Sequence, residues 1–130
     1  MKDSGTIFSE MERLIDLSVT RKAFLLVSSG HWIPATDIYE TPGEIIVFME
    51  VAGVNKSDID VTFQDEYLMV TGVREELFPK HMTTLHRMEI DTGRFMRKIK
   101  INIRIQKEGI EAVCKNGILQ ITLPKEVGYE

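Results

Sequence analysis

Residues 110–123 read Ile110-Glu111-Ala112-Val113-Cys114-Lys115-Asn116-Gly117-Ile118-Leu119-Gln120-Ile121-Thr122-Leu123. Ile110, Ala112 and Cys114 share one parity, and after Asn116-Gly117 the alternation resumes with Leu119, Ile121 and Leu123. Successive side chains of a strand point to opposite faces, so this period of two marks strands with one buried face. Asn-Gly between two such runs is the strongest short hairpin signal, because a type I′ turn needs positive φ at both central positions. The stretch predicts an antiparallel hairpin.

The same period runs upstream as far as Trp32. Ile45, Val47, Met49 and Val51 share one face, and Ile46, Phe48 and Glu50 share the other. Ile59, Val61 and Phe63 alternate with Asp60, Thr62 and Gln64, and Leu68, Val70 and Gly72 alternate with Tyr67, Met69 and Thr71. The longest run sets Phe95, Ile99, Ile101, Ile103 and Ile105 against Met96, Lys98, Lys100, Asn102 and Arg104, with Arg97 the one polar entry on the apolar face. Several short strands with no helical pattern between them predict an all-β sandwich. Residues 75–86, EELFPKHMTTLH, interrupt the pattern. A connection of this length in a compact domain is usually functional or mobile, and Pro79 excludes a central strand within it.

Residues 1–30 form a separate N-terminal arm. Phe8, Met11, Leu14, Ile15 and Leu17 follow helical spacing, and Ser9 precedes Glu12 by three residues as in a capping box, which predicts one short amphipathic helix. The apolar run 23–27, holding Phe24, Leu25 and Leu26, is too brief for periodicity to assign. Two readings of the arm stand side by side: packing on its own domain, or contact with partners. The sandwich is expected over residues 31–125 and a short tail over 126–130.

The 130 residues suit one domain, and the single cysteine, Cys114, leaves no internal disulfide. No run approaches the roughly 18 apolar residues of a membrane span, and the first residues lack a signal-peptide core. A cytoplasmic protein without a membrane partner is expected. Sixteen Lys and Arg against twenty Asp and Glu give a net charge of −4, which speaks against general nucleic-acid binding.

Signals for catalysis are thin. Asp58 and Asp60 stand two apart and would share a strand face as an acid pair, though a solvated face explains them as well. Cys114 with a distant histidine is the minimum for a thiol nucleophile, but its place on an apolar parity predicts a buried small hydrophobe. His81 and His86 lack the cysteine or carboxylate that would complete a zinc set. No glycine-rich phosphate loop is present. Arg94, Lys98, Lys100 and Arg104 have no interleaved aromatic platform, so a solvated strand face is the simpler account. Arg97, on the inward parity, requires an acidic partner. No catalytic residue, cofactor or metal is expected. The seven methionines suit core filling, while Met11, Met82 and Met88 suit an adaptable binding surface.

The order of these features resembles the small heat-shock protein (alpha-crystallin domain) family, bacterial type. Trp32-Ile33-Pro34-Ala35-Thr36-Asp37-Ile38-Tyr39-Glu40 is similar to its opening W-x-P-x-x-D-I-x-E. Gly53 to Ile59 is similar to its G-x-x-x-x-D-I turn, with Ala52 where the family carries proline. Leu68 to Arg74 resembles L-x-I-x-G-x-R, and Gly93 to Arg97 resembles G-x-F-x-R. Ala112 to Leu119, closing on Leu123-Pro124-Lys125, resembles A-x-x-x-x-G-V-L and L-P-K. The likeness covers roughly residues 32–125.

The resemblance implies an immunoglobulin-like sandwich and an ATP-independent chaperone that holds non-native client proteins. It implies a dimer formed by exchange of a loop strand: Leu77, Phe78, Thr84, Leu85 and His86 would meet the partner's Asp37, Ile38, Tyr39 and Glu40, with Arg97 helping to organise the interface. Phe8, Phe24, Leu25 and Leu26 of the arm, with a groove at Ile59, Val61 and Phe63, would take clients. The family's Ile-x-Ile tail motif is met only by Val127-Gly128-Tyr129, implying limited assembly. The replacement of its Leu-Pro by Ile101-Asn102-Ile103 implies a longer strand. Two other classes stay open: a CS-domain-like co-chaperone scaffold with one partner, and a self-assembling coat protein.

Overall fold

In the computed structural model, which describes residues 32–127, the Asn116-Gly117 turn takes the backbone its sequence calls for. Asn116 has φ 53° and Gly117 φ 81°. The turn joins β6 (Glu111–Lys115) to β7 (Ile118–Pro124), with Lys115 opposite Ile118. Upstream lie β1 (Thr36–Glu40), β2 (Glu44–Glu50), β3 (Asp60–Gln64), β4 (Tyr67–Arg74) and β5 (Gly93–Lys100). The strands form two antiparallel sheets, one ordered β1-β2-β7-β6 and the other β3-β4-β5. The expected helix around Phe8 to Leu17, the run 23–27 and the tail positions Gly128 and Tyr129 lie outside the described residues.

The core follows the alternation. Val47, Met49, Leu68, Val70, Ile121 and Leu123 are fully buried, while their strand neighbours turn outward. Burying an aliphatic side chain contributes about 1.5–3 kcal/mol, so each one-residue register slip would expose several such residues at once. Phe95 fills the sandwich end, with the Trp32 ring edge-on at 5.3 Å.

One expectation is corrected here. The run from Phe95 to Ile105 is not one strand, because β5 ends at Lys100. Its neighbour β4 begins at Tyr67, which pairs with Lys100, and the Ile101 N–H donates to the Glu66 carbonyl in the preceding turn. Beyond that point no strand remains to pair with. The chain crosses to the other sheet, where Ile105 bridges Lys125.

Candidate functional site

Edge strands carry unpaired main-chain groups, so the sheet order locates the candidate surfaces. β1 stands at the end of the larger sheet. Its register sets Ile38 opposite the buried Val47, yet Ile38 stays 48% exposed because no strand lies outside it among the described residues. Asp37 is exposed, and Tyr39 packs edge-on against Phe48 at 5.9 Å. Glu40 accepts a 2.6 Å hydrogen bond from Lys125, tying the end of β1 to the chain beyond β7.

The segment between β4 and β5 forms no strand and pairs with neither sheet. Leu77 is 80% exposed, Phe78 and Leu85 about half exposed, and Thr84 and His86 exposed. Leu77, Phe78, Pro79, Met82, Leu85 and Ile90 help line an apolar cavity of ≈ 330 Å³ within the loop. The loop's base is closed by a contact that alternation could not reveal. Arg74 Nε donates to the Asp91 carbonyl at 2.8 Å, and Arg74 Nη1 donates to the Ala52 carbonyl at 2.8 Å. Its guanidinium also lies 4.1 Å over the Trp32 ring. A cation held over an aromatic face and two carbonyls is fixed by several weak terms acting together. The lone tryptophan before the first strand and the arginine ending the L-x-I-x-G-x-R motif were the available signals.

Ile59, Val61 and Phe63 are half-buried and pack on the core at β3, an edge of the smaller sheet. β6 is an edge of the larger sheet, and there Cys114 is half-buried rather than buried, because an edge strand is covered on one side only. Arg97 is half-buried on the core parity of β5 and has no ion-pair partner among the described residues. Asp58 and Asp60 do not share a strand: Asp58 sits in the 3-10 turn Lys56–Asp58, and both side chains are exposed. Lys98 and Lys100 are exposed as expected, and Lys98 Nζ lies 4.5 Å over the Tyr67 ring of the neighbouring strand. His81 and His86 are exposed, and no group of three His, Cys, Asp or Glu suited to a metal occurs among the described residues. No helix among them is long and apolar enough to cross a membrane.

An antiparallel sandwich with open strand edges and exposed apolar side chains among the described residues offers edges on which a further strand can pair. Residues 37–130 match the Hsp20/alpha crystallin family, and the chain belongs to it. That family is one of small heat-shock chaperones, which are not enzymes. Small heat shock protein C2 of Rickettsia felis is 36% identical over 94 residues, covering 72% of this chain and 61% of that protein. The 17.3 kDa class II heat shock protein of Solanum peruvianum is 29% identical over 123 residues, covering 92% of this chain and 79% of that one. Among solved structures, a small heat-shock protein of Xylella fastidiosa superposes with a TM-score of 0.68 at 26% identity, covering 77% of this chain and 92% of that chain. The hspA of Xanthomonas axonopodis gives 0.68 at 27% identity, covering 74% and 96%. The immunoglobulin-like sandwich expected from the motifs is therefore the fold.

Proposed function

We propose that this chain is an ATP-independent holdase, capturing unfolding proteins through apolar surface and keeping them from aggregating. The observation that carries the reading is the open β3 edge, where Ile59, Val61 and Phe63 are only half-buried, in a chain of this family. Burial of client apolar surface, at about 25 cal/mol per Å², is non-directional and tolerates varied sequences. Arm residues Phe8, Phe24, Leu25 and Leu26 supply further client contact beside that edge.

The working unit is a dimer. The loop strand of one copy, with Leu77, Phe78, Thr84, Leu85 and His86, pairs along the partner's Asp37 to Glu40, which covers the open β1 edge. Arg97, half-buried without an acidic partner among the described residues, finds one across that interface.

Light scattering of a heat-aggregating enzyme, without nucleotide and with sizing of the same sample, tests the reading. Suppression at near-stoichiometric ratio by a dimer or larger species is expected. A monomer that leaves aggregation unchanged would reject it in favour of a scaffold for one partner. Deleting residues 1–30 should weaken suppression without dissociating the dimer.

A further inference from the structure

The outward face of the smaller sheet has a composition unlike the rest of this acidic chain. Its cross-strand rows are Thr62–Met69–Lys98 and Gln64–Tyr67–Lys100, followed by Asp60–Thr71–Met96 and Val73–Arg94. Met96 is 46% exposed and Val73 39% exposed, so an apolar strip runs along the face. Arg94, Lys98 and Lys100 border it, and none has an ion-pair partner among the described residues. β5 has no acidic residue, and the cross-strand rows of the face hold one carboxylate, Asp60, beside Thr71 rather than beside Lys98 or Lys100, although the whole chain carries −4. Three cations against one carboxylate around two methionines suit an acidic amphipathic occupant.

The sequence of this chain offers one. Trp32 is pinned to β5: its N–H donates to the Arg94 carbonyl at 3.0 Å, and its indole N–H donates to the Gly93 carbonyl at 2.9 Å. Trp32, the first described residue, is thus fixed against the β5 edge. Residues 8–16 hold Phe8, Met11, Leu14 and Ile15 together with Glu10, Glu12 and Asp16, against the single cation Arg13. In the helical register read from the sequence, Glu12 and Asp16 stand one turn apart, about 6 Å, beside Phe8 and Ile15. Lys98 and Lys100 stand two residues apart on one strand face, about 7 Å. The intervening residues 17–31 reach up to about 50 Å when extended, nearly twice the length of the strand.

We propose that residues 8–16 of this chain dock on the outward face of its own β3-β4-β5 sheet, with Glu12 and Asp16 on Lys98 and Lys100 and the apolar arc on Met69, Met96 and Val73. Exposed ion pairs weaken within a Debye length of about 10 Å at 0.1 M salt, so rising ionic strength frees the segment. On the holdase reading, docking withholds Phe8 from clients and release presents it. The docking itself does not depend on that reading.

Zero-length carbodiimide coupling of the full-length protein at low salt tests it, using unlabelled and ¹⁵N-labelled chains unfolded and refolded together so that copies mix, and mass spectrometry of the linked peptides. Links from Glu12 or Asp16 to Lys98 or Lys100, within chains of one isotope, are expected. They should disappear in Lys98→Glu with Lys100→Glu and return when Glu12→Lys with Asp16→Lys is added, because the charge swap restores the pairs. Links spread evenly over Lys56, Lys80, Lys107 and Lys115 would overturn the proposal, as would links found only between isotopes. Loss of chaperone activity would instead be read by scattering, and leaves this result standing.

Discussion

At position 72 the chain has no room for a Cβ. One built there would lie 2.5 Å from the Phe95 ring and 3.0 Å from the Asp58 carbonyl oxygen. Phe95 is almost wholly buried, so Gly72→Ala must displace a core aromatic or the turn before β3. Overpacking of this kind is destabilising by about 1–3 kcal/mol. Urea unfolding should show that loss, and Phe95→Leu added to Gly72→Ala should recover part of it, since neighbouring changes couple. The alternation placed Gly72 on the buried parity but could not say why glycine stands there, because the obstructing ring comes from another strand. Arg74 was opaque for the same reason: its partners Asp91, Ala52 and Trp32 are distant in sequence.

Two hairpins separate what a strand-and-turn pattern tells from what it hides. Asn116-Gly117 announces its turn, and the structure obeys it. The turn between β3 and β4 uses Asp65 and Glu66 at φ 53° and 71°, the same left-handed region, which aspartate tolerates and glutamate does not favour. A residue other than glycine, asparagine or aspartate there costs roughly 1–2 kcal/mol. Glu66→Gly should therefore stabilise the protein by about 0.5–1 kcal/mol after the added freedom of the unfolded chain is allowed for. Gly117→Ala should do the reverse, by about 1 kcal/mol, since its φ is 81° and the new Cβ would meet Ala52 at 3.1 Å. Paired denaturant curves read both signs. Strand ends were hidden too: the alternation from Phe95 to Ile105 continues past Lys100, but pairing stops where β4 begins. Periodicity reports which way a side chain points, not whether a neighbour is present.

At the scale of the whole molecule, the candidate surfaces depend on sheet order, and sheet order is a non-local property. That Asp37 to Glu40 would form an edge follows from resemblance at the level of sequence, and the order β1-β2-β7-β6 makes it an edge among the described residues. The loop was legible in the sequence by its length and its proline. Leu77→Ser with Phe78→Ser removes two exposed side chains from the chain seen alone, so stability should change by no more than about 0.5 kcal/mol per site. If those residues join two copies, sedimentation should show a marked shift toward monomer, and an unchanged profile would place the contact elsewhere. Trp32, the chain's one tryptophan, stands where the entering chain, the first strand of the loop's base and the core aromatic converge. The protein thus carries its own optical gauge: emission from a buried indole should shift to longer wavelength when that junction opens. Recorded alongside far-ultraviolet dichroism, it would reveal whether the junction parts before the sheets melt.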